Sequence, residues 1–155
     1  MSIRSKSFLT EKGFTFIEIS VVLLISIILL SFSLSVSGAF SRQKLNAAAS
    51  MMMEDIRLTQ KLNENQDNSI YRIKFDCGIE TYYISKNVSI YKKVALPPAV
   101  DLVGTNFASN ELSFNHKGVP SMGGTVTLGD KRGNFLYVIV LPVTGRVRVD
   151  TSPPP

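Results

Sequence analysis

The sequence predicts an α+β protein in which one long N-terminal α-helix, membrane-spanning in its first half, packs on an antiparallel β-sheet head. Three observations predict this. Residues 14–32 are apolar except for Thr15, Glu18, Ser20, Ser26 and Ser31. No proline or glycine interrupts residues 40–64. Beyond residue 69 the apolar period changes from that of a helix to two, the period of a half-buried strand.

The 155 residues suffice for one membrane helix and one domain of ordinary size. Cys77 is the only cysteine, so no intrachain disulfide forms and the head must stand on its packed core. The 17 Lys+Arg against 12 Asp+Glu give a formal net charge of +5, a modest surplus that points only weakly to an anionic partner.

Residues 1–13 carry Arg4, Lys6 and Lys12 against one acid, Glu11. Basic residues before an apolar run place the N-terminus in the cytoplasm and the remainder outside. From residue 14 to 36 the helix rises about 34 Å, enough to cross a hydrocarbon core. An ordinary secretory signal has a shorter apolar core with its cut beyond it. Here the plausible cut lies before the run, at Gly13, so the span stays with the mature chain. That cut removes three basic residues and one acidic one, and the net charge falls from +5 to +3. Glu18 stands at the head of the run. It reads either as a residue of the lipid–water boundary or as a charge awaiting a positive partner, and intramembrane ionisable residues are functional candidates by default.

Residues 37–64 read as the amphipathic half of the same helix, rich in Ala, Met, Leu, Lys and Gln. Leu45, Ala49, Met52 and Ile56 follow 4-3-4 spacing on one face, and Glu54 and Arg57 form an i,i+3 pair on the exposed side. The triplet Met51-Met52-Met53 reads as soft core packing, because thioether-only ligation requires soft metals and more ligands. NENQDNS, residues 63–69, ends the helix in turn formers. The whole helix spans about 50 residues, or about 75 Å. SFSLSVSG, residues 31–38, is its weakest stretch, since serine offers the backbone competing hydrogen bonds; a bend or partial melting is expected there on assembly.

The head spans residues 65–151. IYRIKFD, residues 70–76, sets Tyr71, Ile73 and Phe75 against Arg72, Lys74 and Asp76. Residues 81–85 and 88–91 read as further strands, LPPAVD (96–101) as a loop fixed by its prolines, and residues 112–114 as a short strand before the turn at 115–124. GTVTL, the turn GDKRG, NFLYVIVLP, VTG and RVRVD then make a three-stranded antiparallel meander. The tail at 152–155 is proline-rich and expected to be disordered.

KGFTFIE, residues 12–18, resembles the leader junction of type IV pilins and type II secretion pseudopilins. The resemblance covers roughly residues 10–65. It implies cleavage after Gly13 by a prepilin peptidase, N-methylation of Phe14 as the new N-terminus, and pairing of Glu18 with the Phe14 amine of a neighbouring subunit. Such a pairing is physically sensible, because an ammonium offsets the penalty on a carboxylate in low dielectric. The implied partners are other subunits, through the helix, the peptidase and a membrane platform protein. The implied location is the cytoplasmic membrane, single-pass, with the head outside, and the filament once assembled.

The second half is similar to the H-type minor pseudopilins of type II secretion and to FimT-like minor pilins, through Phe114, Gly118, Gly124, Gly145, Arg146 and Arg148. Unlike major pilins, the chain has no C-terminal cysteine pair, and Ser35 stands where many of those carry a helix-bending proline. Both departures imply a minor or initiating subunit of a secretion pseudopilus or pilus.

GRVRV admits two readings. One is an ordinary last strand with Val147 and Val149 inward. The other, which the FimT likeness allows, is a DNA contact in which Arg146 and Arg148 project about 6.6 Å apart, widened by Lys131, Arg132 and Lys117. Three roles therefore stand: a structural filament subunit, a DNA-binding minor pilin acting in uptake, and a signal-anchored surface domain. An enzyme is not expected. His116 and Cys77 lack an orienting or oxyanion motif, no cluster has metal spacing, and no cofactor is implied.

Overall fold

The computed structural model describes residues 15–65 and 69–154, with side chains throughout except at 32–39. Gly13 and Phe14 therefore lie outside the described residues. The chain divides into two compact units between Ser37 and Gly38. Helix α1 (Phe16–Glu64) runs through both, and its backbone is helical across 31–38.

In the first unit, Thr15 caps the helix. Its carbonyl accepts the N–H groups of Glu18 (3.0 Å) and Ile19 (3.2 Å), and its hydroxyl accepts Glu18 N–H at 3.3 Å. The apolar side chains from Phe16 to Leu30 are between 48% and 89% exposed, on every side of the helix. A helix apolar all round needs another apolar medium or other helices to cover it. The serines in it make no demand on that medium: Ser20, Ser26 and Ser31 each donate to the carbonyl four residues back, at 2.8, 2.8 and 2.9 Å. Among the described residues no helix is long and apolar enough to cross a membrane. The span read at 14–36 reaches beyond them at Phe14 and at the side chains of 32–36.

The second unit joins the rest of α1 to two four-stranded antiparallel sheets. The first contains β1 (Tyr71–Asp76), β2 (Thr81–Lys86), β3 (Ser89–Ala95) and β5 (Glu111–Ser113) in the order β3-β2-β1-β5. The second contains β4 (Val100–Thr105), β6 (Gly124–Asp130), β7 (Phe135–Val140) and β8 (Val147–Asp150) in the order β4-β6-β7-β8. The helix stripe is buried as its spacing requires: Leu45, Ala49, Met52 and Ile56 are all 2% exposed or less, with Ala48 beside them. They pack in one core with Tyr71, Ile73 and Phe75 of β1, Tyr82 and Ile84 of β2, and Val126, Leu128, Val138, Val140 and Val147 of the second sheet. The Phe75 ring stacks on Phe107, in the segment that follows β4, with ring centroids 5.9 Å apart in the interior.

Three expectations need correction. LPPAVD is not wholly loop, because β4 begins at Val100. A bulge between Leu102 and Gly104 breaks the period of that strand and hides it from a test for alternation. The third strand runs on to Ala95 past residue 91, after a bulge at Ile84 and Ser85 that turns Lys92 inward opposite Ile84. Gly129 and Asp130 belong to β6 and not to a turn. The Asp130 carboxylate closes that hairpin by accepting the N–H groups of Arg132 (2.9 Å) and Asn134 (3.0 Å) and the Asn134 amide at 2.8 Å. These bonds hold the Asp130 carboxyl below the usual carboxylate range. In the tail, Ser152 is tied to Asp150, and Pro153 and Pro154 line an open groove with Gly104, Thr105 and Tyr137.

Candidate functional site

Glu18 is the third residue of the helix. There its negative charge meets the positive end of the helix dipole and its N–H is capped by Thr15. Its carboxylate forms no ion pair among the described residues. The local sequence thus gives this carboxylate one helix-start role and leaves its charge available.

Further along the helix, polar side chains lock α1 to the head. Asp55 is 4% exposed, in the middle of the apolar stripe. It accepts a 2.7 Å hydrogen bond from the Tyr82 hydroxyl and a 2.5 Å ion pair from Lys92, which reaches in from the edge strand β3. Burial first, and then the Asp55 carboxylate, push the Tyr82 phenol far above its ordinary range. Asn63 imitates a strand: its amide donates to Tyr71 O (2.8 Å) and accepts Tyr71 N–H (2.9 Å). None of these residues stood out in the sequence, although Asp55 and Asn63 fall on the same 3-4 spacing as the apolar stripe. A polar residue at such a position is the signal that was there to find.

Two glycines of the C-terminal half, Gly118 and Gly145, meet at the helix. Gln60 donates to Gly118 O at 2.7 Å, and both Gly118 (φ +71°) and Gly145 (φ +63°) adopt left-handed backbone against it. A Cβ on Gly145 would overlap the Gly118 carbonyl oxygen and come within 2.6 Å of Gln60 Nε2. The glycines Gly118 and Gly145 that carry the likeness of the second half are thereby explained as packing. One loop and the last hairpin turn converge on one helical side chain, and only glycine fits. Arg57 adds a bond from its guanidinium to Val147 O at 3.2 Å, covering the outer edge of β8, while also pairing with Glu54 at 2.9 Å.

The basic residues read as a DNA contact do not form one patch. Val147 is buried and Val149 packs on the core, while Arg146 and Arg148 are exposed, so the strand alternates as expected. Arg148 lies 3.8 Å from Asp150 on the same sheet face. The Asp150 carboxyl is held low chiefly by the Ser152 and Thr151 N–H groups, with Arg148 contributing. Lys117 lies beside Gly118, near Arg146. Lys131 and Arg132 sit at the opposite end of β7, in the hairpin turn, where a groove of about 470 Å³ separates Gly133–Tyr137 from Arg42, Leu45 and Asn46. The length of β7, roughly 20 Å, separates the two groups.

His116 and Cys77 are kept apart. Cys77 follows the C-terminal end of β1, whereas His116 lines a groove with Ile70 and Arg72 at its start. Burial, and then the carboxylates of Glu80 and Asp76, push the Cys77 thiol up, the reverse of what a nucleophile requires. No group of three or more potential metal ligands occurs among the described residues.

No protein-family model matches the chain. The competence protein ComGD of Bacillus subtilis is 30% identical over 144 residues, covering 90% of this chain and 94% of that one. Solved structures with this fold include a minor pseudopilin and a minor pilin. The minor pseudopilin EpsH of the Vibrio cholerae type 2 secretion system superposes with a TM-score of 0.58 at 11% identity, over 70% of this chain and 97% of that one. The type IV minor pilin FimU of Pseudomonas aeruginosa gives a TM-score of 0.55 at 12% identity, over 68% and 92%. A helix locked on a β-rich head, with sequence similarity to a competence protein along nearly the whole length, identifies the family: the chain belongs to the type IV pilin and pseudopilin superfamily.

Proposed function

We propose that this chain is a minor subunit of a competence filament, acting in DNA uptake and not in catalysis. The similarity to a competence protein over nine-tenths of the chain carries the reading. In this account a prepilin peptidase cuts after Gly13 and Phe14 becomes the methylated N-terminus. The span at 14–36 anchors the protein in the cytoplasmic membrane with its head outside, next to a membrane platform protein. The Glu18 carboxylate pairs with the Phe14 amine of a neighbouring subunit. The all-round apolar helix, its self-satisfied serines and a carboxylate without an ion pair support that arrangement. An unpaired carboxylate in an apolar medium costs several kcal/mol, which assembly relieves.

Deletion of the gene tests the reading. Transformation should fall to the level of a strain without its competence filament, and the intact gene should restore it. A Glu18→Leu variant should accumulate in the membrane and fail to co-purify with the filament. Normal transformation in the deletion strain would remove the competence role.

A further inference from the structure

The two sheets of the head differ in charge. The strands of the first sheet carry five cations, Arg72, Lys74, Lys86, Lys92 and Lys93, against the acids Asp76 and Glu111. Those of the second carry Arg148 against Asp101, Asp130 and Asp150. The strand register sorts the cations by face. Tyr71, Ile73, Phe75, Tyr82 and Ile84 point inward beneath α1. The opposite parity forms cross-strand rows on the face away from the helix: Glu111–Lys74–Tyr83–Lys93, Ser113–Arg72–Ser85–Ile90 and, toward the end of β1, Asp76–Thr81–Ala95.

Arg72, Lys74 and Lys93 are exposed on this face. Arg72 is engaged by Glu111 at 3.2 Å, whereas Lys74 and Lys93 form no ion pair among the described residues. They flank Tyr83 from the strands on either side, and the Lys93 ammonium lies 5.4 Å from the centre of its ring. Lys74 and Lys93 stand two strand spacings apart, roughly 10 Å. Two of the three acids of the second sheet are already engaged, Asp130 in its hairpin and Asp150 by Ser152 and Arg148, which leaves Asp101 as a thin counterpart on a neighbouring copy. A surface of unpaired lysines around an aromatic ring, pointing away from the helix that assembly buries, suits a phosphate polyanion.

We infer that the outer face of the first sheet, centred on Lys74, Tyr83 and Lys93 and not on the C-terminal Arg146 and Arg148, binds the phosphate backbone of DNA. This inference rests on the competence reading for its choice of polyanion. Binding is sequence-independent and weakens steeply with salt.

The test uses the full chain in detergent and a short fluorescent duplex of mixed sequence, titrated across a range of salt. Lys74→Gln with Lys93→Gln should weaken binding about tenfold and lower the salt slope by about two. Lys74→Arg with Lys93→Arg should bind like wild type, showing that charge and not folding is read. Arg146→Gln with Arg148→Gln should bind nearly as wild type. An unchanged affinity and slope in the Lys74/Lys93 glutamine pair would overturn the inference, as would equal losses in both glutamine pairs or a loss in the arginine pair. In cells, a deletion strain that loses transformation but regains it fully with the Lys74/Lys93 glutamine variant would sink this face and leave the filament role intact. Normal transformation in the deletion strain would sink the competence role itself.

Discussion

The Tyr82 hydroxyl donates a 2.7 Å hydrogen bond to Asp55 in the interior between helix and sheet, so a buried carboxylate on the apolar stripe helps to hold the helix to the head. Hydrogen bonds to charged groups contribute about 1.5–3 kcal/mol, and removing one from a buried carboxylate leaves it under-solvated. Tyr82→Phe should therefore lower the unfolding free energy by about 2 kcal/mol, read from urea denaturation of the detergent-solubilised chain. Because the folded-state phenol pKa is raised, this contribution is present below the ordinary tyrosine value of about 10 and is lost as pH climbs above it. Ultraviolet titration should show one tyrosine that ionises only as the protein unfolds, and Tyr82→Phe should abolish that step.

Asn63 closes the loop from helix to β1 by pairing both ways with the Tyr71 backbone. Replacing it with leucine keeps the bulk and strands a buried N–H and C=O together. Each unsatisfied group costs about 1–3 kcal/mol, so Asn63→Leu should lose at least about 2 kcal/mol. The Tyr71 amide should also lose its protection from hydrogen exchange.

Gly145→Ala should be more damaging than its size suggests. The backbone is left-handed there and the new methyl meets the Gly118 carbonyl. The left-handed conformation alone costs about 1–2 kcal/mol, and the overlap adds to it. The same change at Gly133, which has φ +81° but open space around it, should show the conformational cost alone. Comparing the two melting temperatures isolates the clash.

Cys77 should react slowly with thiol reagents at neutral pH, because burial and two acids raise its pKa. Its alkylation rate should rise with pH beyond the range where a free cysteine has levelled off. Glu80→Gln, which removes one of the acids, should speed it at pH 8. Glu80 also accepts the Leu102 N–H, so the variant's fold must be verified by its exchange pattern.

Much of this architecture was legible in the chain. The 4-3-4 stripe of Leu45, Ala49, Met52 and Ile56 named the buried helix face, the alternation of YRIKFD named the inner face of β1, and Glu54 and Arg57 form the expected pair at 2.9 Å. Other parts were not legible, for particular reasons. The bulge in β4 destroys the period that would reveal it. The division into two sheets depends on pairings between distant segments, such as Arg72 with Ser113. Lys131 and Arg132 are near Arg146 in the chain but a strand's length away in space, because the hairpin between them is extended. The outward Arg72 and Lys74 were visible. That Lys93 joins them across Tyr83 depends on register, and register depends on the bulge at Ile84 and Ser85.

If the helix enters a filament through a processed N-terminus, the intact mass of the membrane-extracted protein will carry the mark of that processing. The protein would be made in cells with and without a prepilin peptidase. Only where the peptidase is present should a species lacking residues 1–13 and carrying one extra methyl group be found. A full-length, unmodified chain in both strains would contradict it, leaving Glu18 without the Phe14 amine it is proposed to meet.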